Sequence, residues 1–212
     1  MLVKVCGITE KTNISELEGR VNLLGFIFYP PSPRNAFETS TEFIKRLGQK
    51  FEKVGVFVDY PIDHLVFLCR QRNIRTVQLH GRETPEYARI LRELGFKVIK
   101  AFSISSETHD HDFTELTLPY EEVVDMFLFD TAGKNAGGNG VKFNWELLKR
   151  YKGKTPYLLS GGIGPQDISL ITSLQPEDYP GLAGFDLNSR FEISPGEKNT
   201  VLLSEFIDSL KI

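Results

Sequence analysis

The chain has 212 residues, 41% of them hydrophobic, and 25 Lys and Arg against 28 Asp and Glu give a formal net charge of −3. That composition predicts a packed core in one large unit rather than a disordered chain, and the scattering of both signs argues against a nucleic-acid binder that works through a basic face. The opening MLVKVCGITE turns polar too early for a secretory leader and no apolar run approaches the length of a bilayer span; two cysteines outside any CxxC pair suit a reducing cytoplasm.

Short β-type runs predict strands over Leu2–Cys6, Leu23–Phe28, Lys53–Val58, Thr76–Leu79, Lys97–Phe102, Met126–Phe129, Pro156–Leu159 and Ala183–Leu187. Helix-like segments fall between them at Ser40–Lys50, Asp63–Arg72, Thr84–Leu94, Trp145–Tyr151, Gln166–Ser173 and Thr200–Leu210, with weaker ones at Lys11–Glu18 and Phe113–Val124. Tyr87, Ile90, Leu91 and Leu94 share one face of the third segment, and Val201, Phe206, Ile207 and Leu210 read as the packing stripe of the last. Strict alternation of strand and helix means parallel βα units, and the unbroken apolar Phe127-Leu128-Phe129 is the pattern of a strand covered on both faces. Eight such units predict one α/β domain over residues 1–212, a (β/α)₈ TIM barrel, compact beside the ~250 residues usual for that fold. An open doubly wound sheet is the alternative closure.

Barrels of this kind place their chemistry at the carboxyl ends of the strands. Here those ends carry Cys6, Asp59, His80, Asp130, Ser160 and Asp186. Alternation along a strand puts Lys4 and Cys6 on the inner face if Val3 and Val5 face the helices, and the same parity turns Gln78, His80 and Asp130 inward. Two loops suit an anion. Ser160-Gly161-Gly162-Ile163-Gly164 follows the seventh strand and Asn188-Ser189-Arg190 the eighth; glycines let backbone N–H groups approach a phosphate, and a following helix N-terminus would add its dipole. The glycine-rich run from Asp130 to Gly140 reads as a cover over the site. It lacks the trailing Lys-Ser/Thr of a Walker motif, and no GxGxxG opens a helix after the first strand.

These segments resemble the phosphoribosylanthranilate isomerase family of tryptophan biosynthesis. The resemblance is carried by Lys4-Val-Cys-Gly-Ile-Thr9, Gly25-Phe-Ile-Phe-Tyr-Pro-Pro-Ser-Pro-Arg34, Val54-Gly-Val-Phe-Val-Asp59 and Val77-Gln-Leu-His-Gly81. Phe129-Asp-Thr131, Gly137-Gly-Asn-Gly140, Ser160-Gly-Gly162 and Gly184-Phe-Asp-Leu-Asn-Ser189 continue it over nearly the whole chain. It implies an Amadori rearrangement of a phosphorylated small molecule without metal or organic cofactor, and no nucleic-acid or membrane partner. By the family's pattern Asp130 is the general acid at the furanose ring oxygen and Cys6 the general base at C2′. Arg34 would face the anthranilate carboxylate, Asp186 the ribose hydroxyls, and Gly161, Gly162, Asn188 and Ser189 the phosphate. Monomer and homodimer both remain open.

The roles make physical sense. A departing ring oxygen needs a proton, and the iminium so formed acidifies the neighbouring C–H. A cysteine is a base only as thiolate, with an ordinary pKa of about 8.5, so a cation should assist, and Lys4 two residues away is the candidate. An aspartate acting as acid must hold its proton, which burial under a closed loop or the substrate's phosphate favours. An arginine fork suits a planar carboxylate. The sequence departs from the family at Asn188-Ser189-Arg190, where small residues are usual, and at Asn139, where threonine is common.

Bland readings compete at each position. Cys6 alone would be a small buried hydrophobe, Asp130 a loop cap, Arg34 a surface arginine; only their shared motif reverses that. His80 reads as a hydrogen-bonding residue, Asp59 as structural, and His109-Asp110-His111-Asp112 as a solvated loop rather than a metal shell. The rivals are another phosphosugar barrel, which should carry inward metal ligands or an aspartate where Cys6 stands, and a barrel that binds phosphate without catalysis.

Overall fold

The computed structural model describes residues 1–105, 115–131 and 144–210. Eight parallel strands close into a barrel in chain order: β1 Leu2–Cys6, β2 Leu23–Phe28, β3 Glu52–Phe57, β4 Thr76–Leu79, β5 Lys97–Ile104, β6 Met126–Thr131, β7 Tyr157–Leu159 and β8 Leu182–Leu187. β8 pairs back onto β1, with Lys4 opposite Asp186. Closure excludes the open doubly wound sheet. Every predicted strand is present within two residues of its expected limits; β5 and β6 run on to Ile104 and Thr131, so Asp130 lies inside its strand rather than just past it.

Two apolar layers follow from strand parity. Val3, Val5, Phe26, Phe28, Val77, Phe127, Phe129 and Phe185 face outward into the shell beneath the helices. Leu23, Val54, Val56, Ile99, Ala101, Leu128 and Leu158 fill the barrel itself, with Cys6 among them. The interior is thus plugged at its amino end, and chemistry is confined to the carboxyl mouth.

The connections are less regular than the periodicity suggests. Helix α1 (Thr41–Arg46) is capped by Ser40, whose Oγ accepts from Phe43 N, but it tightens into a 3₁₀ turn at Leu47–Gln49, where Gly48 weakens the α-helix. α2 (Ile62–Gln71) and α3 (Pro85–Glu93) match their predicted segments, Thr84 capping the latter. Leu94 lies beyond the end of α3 and is exposed, because the chain turns at Gly95 with φ +86°. Trp145–Arg150 is a 3₁₀ run, and the expected helix over Gln166–Ser173 is a 3₁₀ turn, Pro165–Asp167, followed by only five α residues, Ile168–Thr172. The weak first connection reduces to a 3₁₀ turn at Ile14–Leu17, and the weak fifth includes one at Leu118–Tyr120. The C-terminal helix Thr200–Ser209 buries Leu203, Phe206 and Ile207, whereas Val201 is exposed. Five residues separate Val201 from Phe206, about 140° around the helix, so the two cannot share a stripe.

A feature the periodicity does not announce is an antiparallel hairpin between β8 and that helix, β9 Glu192–Ser194 with β10 Glu197–Lys198. Among the described residues no helix is long and apolar enough to cross a membrane.

Candidate active site

A cleft opens at the carboxyl ends of the strands. Cys6 from β1, Asp130 from β6 and Asp186 from β8 line it together with Arg34 from the loop after β2. Gly161 and Gly162 after β7, and Asn188 and Ser189 after β8, complete the same wall. All eight residues proposed from the sequence therefore meet in one cavity. Gln78 of β4 and His80 just past its end enter the cleft, as their parity requires, and Ile27, Tyr29, Val56 and Val58 give it an apolar side. That apolar side was not among the expected site residues, although its members alternate along β2 and β3 on the inner face.

The floor is ionic. Lys4, fully buried, donates from Nζ to Asp186 Oδ1 at 2.9 Å, and Asp186 is only 5% exposed. Burial opposes the Lys4 charge, yet the Asp186 carboxylate and the neighbouring Cys6 hold its pKa above the ordinary lysine value. Burial pushes the Asp186 carboxyl upward; Lys4 pulls it down, and the charge of Asp130 adds to the rise. Burial likewise pushes the Cys6 thiol above its ordinary value, only partly offset by Lys4 and Lys198. Lys4 thus serves two partners where the sequence pairs it with Cys6 alone. The crowding is tight: a Cβ on Gly25 of β2 would lie 2.8 Å from Cys6 Sγ and 3.2 Å from Lys4 Nζ, so only glycine leaves room for both.

Asp130 presents Oδ2 to His80 Nε2 at 3.5 Å, while its Oδ1 accepts from the backbone N of Thr131 at 2.9 Å. Gln78 Nε2 lies 2.8 Å from His80 Nδ1. With Gln78 donating there, the proton of the neutral ring is assigned to Nε2, the side that faces Asp130. Gln78 Oε1 is buried and has no hydrogen-bond partner among the described residues. Asp59 stands apart from this group. It takes φ +48° and receives the backbone N of Arg82 on Oδ1 at 2.6 Å, tying the loop after β3 to the loop after β4.

The wall expected to hold an anion is built from backbone rather than from a helix. Gly161 and Gly162 take φ +93° and +71°, a pair of left-handed conformations that turn successive N–H groups toward one side. The following α segment is too short for a strong dipole, and Gly164 N already donates to Asp167 Oδ2 at 2.8 Å. After β8, Asn188 and Ser189 lead into a 3₁₀ turn, Ser189–Phe191. Arg190 is exposed and does not line the cleft.

Arg34 is placed by two overlapping turns, with Ser32 N donating to Tyr29 O and Asn35 N to Ser32 O. Its guanidinium is held by Glu192 of the β9 hairpin, Nη2 to Oε2 at 2.7 Å and Nε to both oxygens at 2.9 Å. Glu192 in turn receives Lys198 Nζ at 2.7 Å. The sequence offered no sign of Glu192 or Lys198, because both lie more than 150 residues from Arg34 and belong to no strand of the barrel.

Among the described residues no group of three or more His, Cys, Asp or Glu could hold a metal ion. The expected cover from Gly133 to Gly140, Asn139 within it, and the polar stretch His109–Asp112 lie outside the described residues.

Comparison with known proteins bears on the same geometry. The family model described as N-(5′-phosphoribosyl)anthranilate isomerase matches residues 3–209. The N-(5′-phosphoribosyl)anthranilate isomerase of Phocaeicola vulgatus is 40% identical over 212 residues, covering 100% of this chain and 98% of that protein. The crystal structure of phosphoribosyl anthranilate isomerase from Thermotoga maritima superposes with a TM-score of 0.78 at 29% identity, covering 100% of this chain and 99% of that one. A crystal structure of such an isomerase in complex with reduced 1-(o-carboxyphenylamino)-1-deoxyribulose 5-phosphate gives a TM-score of 0.76 at 27% identity, with 100% and 98% coverage.

Proposed function

The chain belongs to the N-(5′-phosphoribosyl)anthranilate isomerase family, and from that membership and the cleft geometry we infer that it converts N-(5′-phosphoribosyl)anthranilate into 1-(2-carboxyphenylamino)-1-deoxyribulose 5-phosphate. The observation that carries this reading is the convergence of Cys6 and Asp130, from strands separated by β7 and β8, on one cavity that also contains the Gly161–Gly162 turn.

The steps follow from what each group can do. Asp130 gives a proton to the furanose ring oxygen; the C1′–O bond breaks and the nitrogen lone pair forms the C1′=N iminium. That positive charge acidifies C2′–H, and Cys6 thiolate takes the proton. The C2′–H electrons become the C1′=C2′ bond of an enolamine, which gains a proton at C1′ as its C2′ hydroxyl becomes the ketone. Lys4 beside Cys6 favours the thiolate, and Asp186 is positioned by Lys4 for the ribose hydroxyls. The Gly161–Gly162 turn with Asn188 and Ser189 receives the phosphate through backbone and amide donors. Ile27, Tyr29, Val56 and Val58 suit the aromatic ring, and Arg34 its carboxylate. A base that must remain a free thiol fits a reducing compartment, and the reaction is assigned to the cytoplasm.

Purified protein in chelator should extinguish the anthranilate fluorescence of N-(5′-phosphoribosyl)anthranilate at a protein-dependent rate. A rate equal to that of buffer would overturn the assignment and favour a phosphate-binding barrel without catalysis.

A further inference from the structure

We propose that Glu192 and Lys198 are positioning residues for the substrate's aryl carboxylate, acting through Arg34. The proposal deepens the isomerase reading and rests on it. A guanidinium has two forked edges, Nε with Nη2 and Nη1 with Nη2. Glu192 occupies the first with three contacts of 2.7 to 2.9 Å, which fixes the plane of the group and leaves the second edge to a ligand. Arg34 is 12% exposed at its side chain and lines the cleft, so that edge is reachable.

Left to itself, an ion pair of this kind would spend the arginine's charge. Lys198 prevents that. Its side chain is fully buried, and Nζ lies 2.7 Å from Glu192 Oε1 and 2.7 Å from Asn188 Oδ1. Two cations against one carboxylate leave the cluster with a single positive charge, in a setting that excludes most water and where an anion is bound more strongly than at the surface. The same ammonium fixes the amide of Asn188, so one buried group ties the carboxylate wall to the anion wall. The hairpin that carries Glu192 and Lys198 makes a further bond inside itself, Gly196 N to Glu192 Oε1 at 3.2 Å, which orients the carboxylate before any ligand arrives. Pre-orientation of this kind lowers the cost of binding.

The test compares N-(5′-phosphoribosyl)anthranilate with N-(5′-phosphoribosyl)aniline, which lacks the carboxylate, in wild type, Glu192→Gln, Glu192→Asp and Lys198→Met. With the anthranilate substrate, Glu192→Gln and Lys198→Met should raise KM on the order of tenfold with kcat within about threefold, the size of one charge-assisted hydrogen bond lost from binding. Glu192→Asp, which keeps the charge, should recover part of that loss. With the aniline substrate Glu192→Gln and Glu192→Asp should match wild type, and Lys198→Met, which also releases Asn188, should lose less than it does with the anthranilate substrate. An equal penalty on both substrates would mean a merely structural hairpin, and a lower KM in Glu192→Gln would mean that Glu192 competes with the substrate; either overturns the proposal. Should Glu192→Gln fail to fold, Lys198→Met and Glu192→Asp carry the same comparison. If wild type itself turns over neither compound, the isomerase reading has failed, which is a different result from wild-type activity with unaffected variants.

Discussion

Replacing Lys4 by methionine isolates the ionic floor of the cleft. The Lys4–Asp186 pair is 2.9 Å long with side chains 0% and 5% exposed, so no solvent can take over from the lost ammonium. Removing one member of such a pair leaves an uncompensated buried charge and costs about 3–5 kcal/mol, whereas removing both and filling the space with apolar atoms is near neutral. Lys4→Met should therefore lower the melting temperature by roughly 6–20 °C for a protein of this size, and Lys4→Met/Asp186→Leu should recover most of it. Unfolding can be followed by urea titration on Trp145, the sole tryptophan, which is buried. The pH dependence has a definite sign. Burial already holds the folded Asp186 carboxyl above its unfolded value, and loss of Lys4 raises it further. A raised acid is at no disadvantage below its unfolded pKa and loses stability as pH rises through the folded one. The deficit of Lys4→Met should thus be largest near neutrality and shrink on acidification. A single variant within about 1 kcal/mol of wild type at pH 7, or a double variant no more stable than the single, would refute the claim that this pair is a closed charge-compensated unit.

Further consequences concern Cys6, the proposed base, and the glycines of the cleft. Burial raises the Cys6 thiol, so the stability it contributes is complete below its ordinary value and falls as pH rises beyond it, a dependence that Cys6→Ser should abolish. An alkaline limb of the stability curve that is unchanged in Cys6→Ser would contradict this. Gly25→Ala places a methyl 2.8 Å from Cys6 Sγ and 3.1 Å from Cys6 Cα; kcat should drop about 10- to 100-fold while the protein loses only ~1–3 kcal/mol, and kinetics with parallel melting curves decide it. Gly161→Ala combines φ +93° with a methyl 2.6 Å from the backbone N of Thr131, so KM and the inhibition constant of inorganic phosphate should rise together. A rise in KM with phosphate inhibition untouched would detach that turn from the anion site.

Much of the fold was legible because strands and barrel interior are governed by local rules. Period-two alternation around Lys4 and Cys6, and around Gln78 and His80, assigns faces without any knowledge of partners, and the structure places these residues on the inner face. Helices were less legible. Gly48 breaks a segment whose apolar spacing alone looks continuous, and a 3₁₀ run such as Trp145–Arg150 satisfies nearly the same spacing as an α-helix. The site was legible where a residue sits at a strand end and hidden where it acts through a distant partner. Asp186 could be placed in the mouth by strand register, but its bond to Lys4 spans 182 positions. Arg34 could be singled out, but its restraint by Glu192 depends on a hairpin of two very short strands with no periodic signal.

The most direct test compares wild type with Cys6→Ser and Asp130→Asn in two measurements, turnover of N-(5′-phosphoribosyl)anthranilate and equilibrium binding of the reduced product analogue. Loss of a general acid or base should cut kcat by about 10²- to 10⁴-fold while the analogue still binds within about threefold of wild type, because neither substitution touches the anion wall. Wild-type turnover in either variant would contradict the assignment of base and acid to these two side chains.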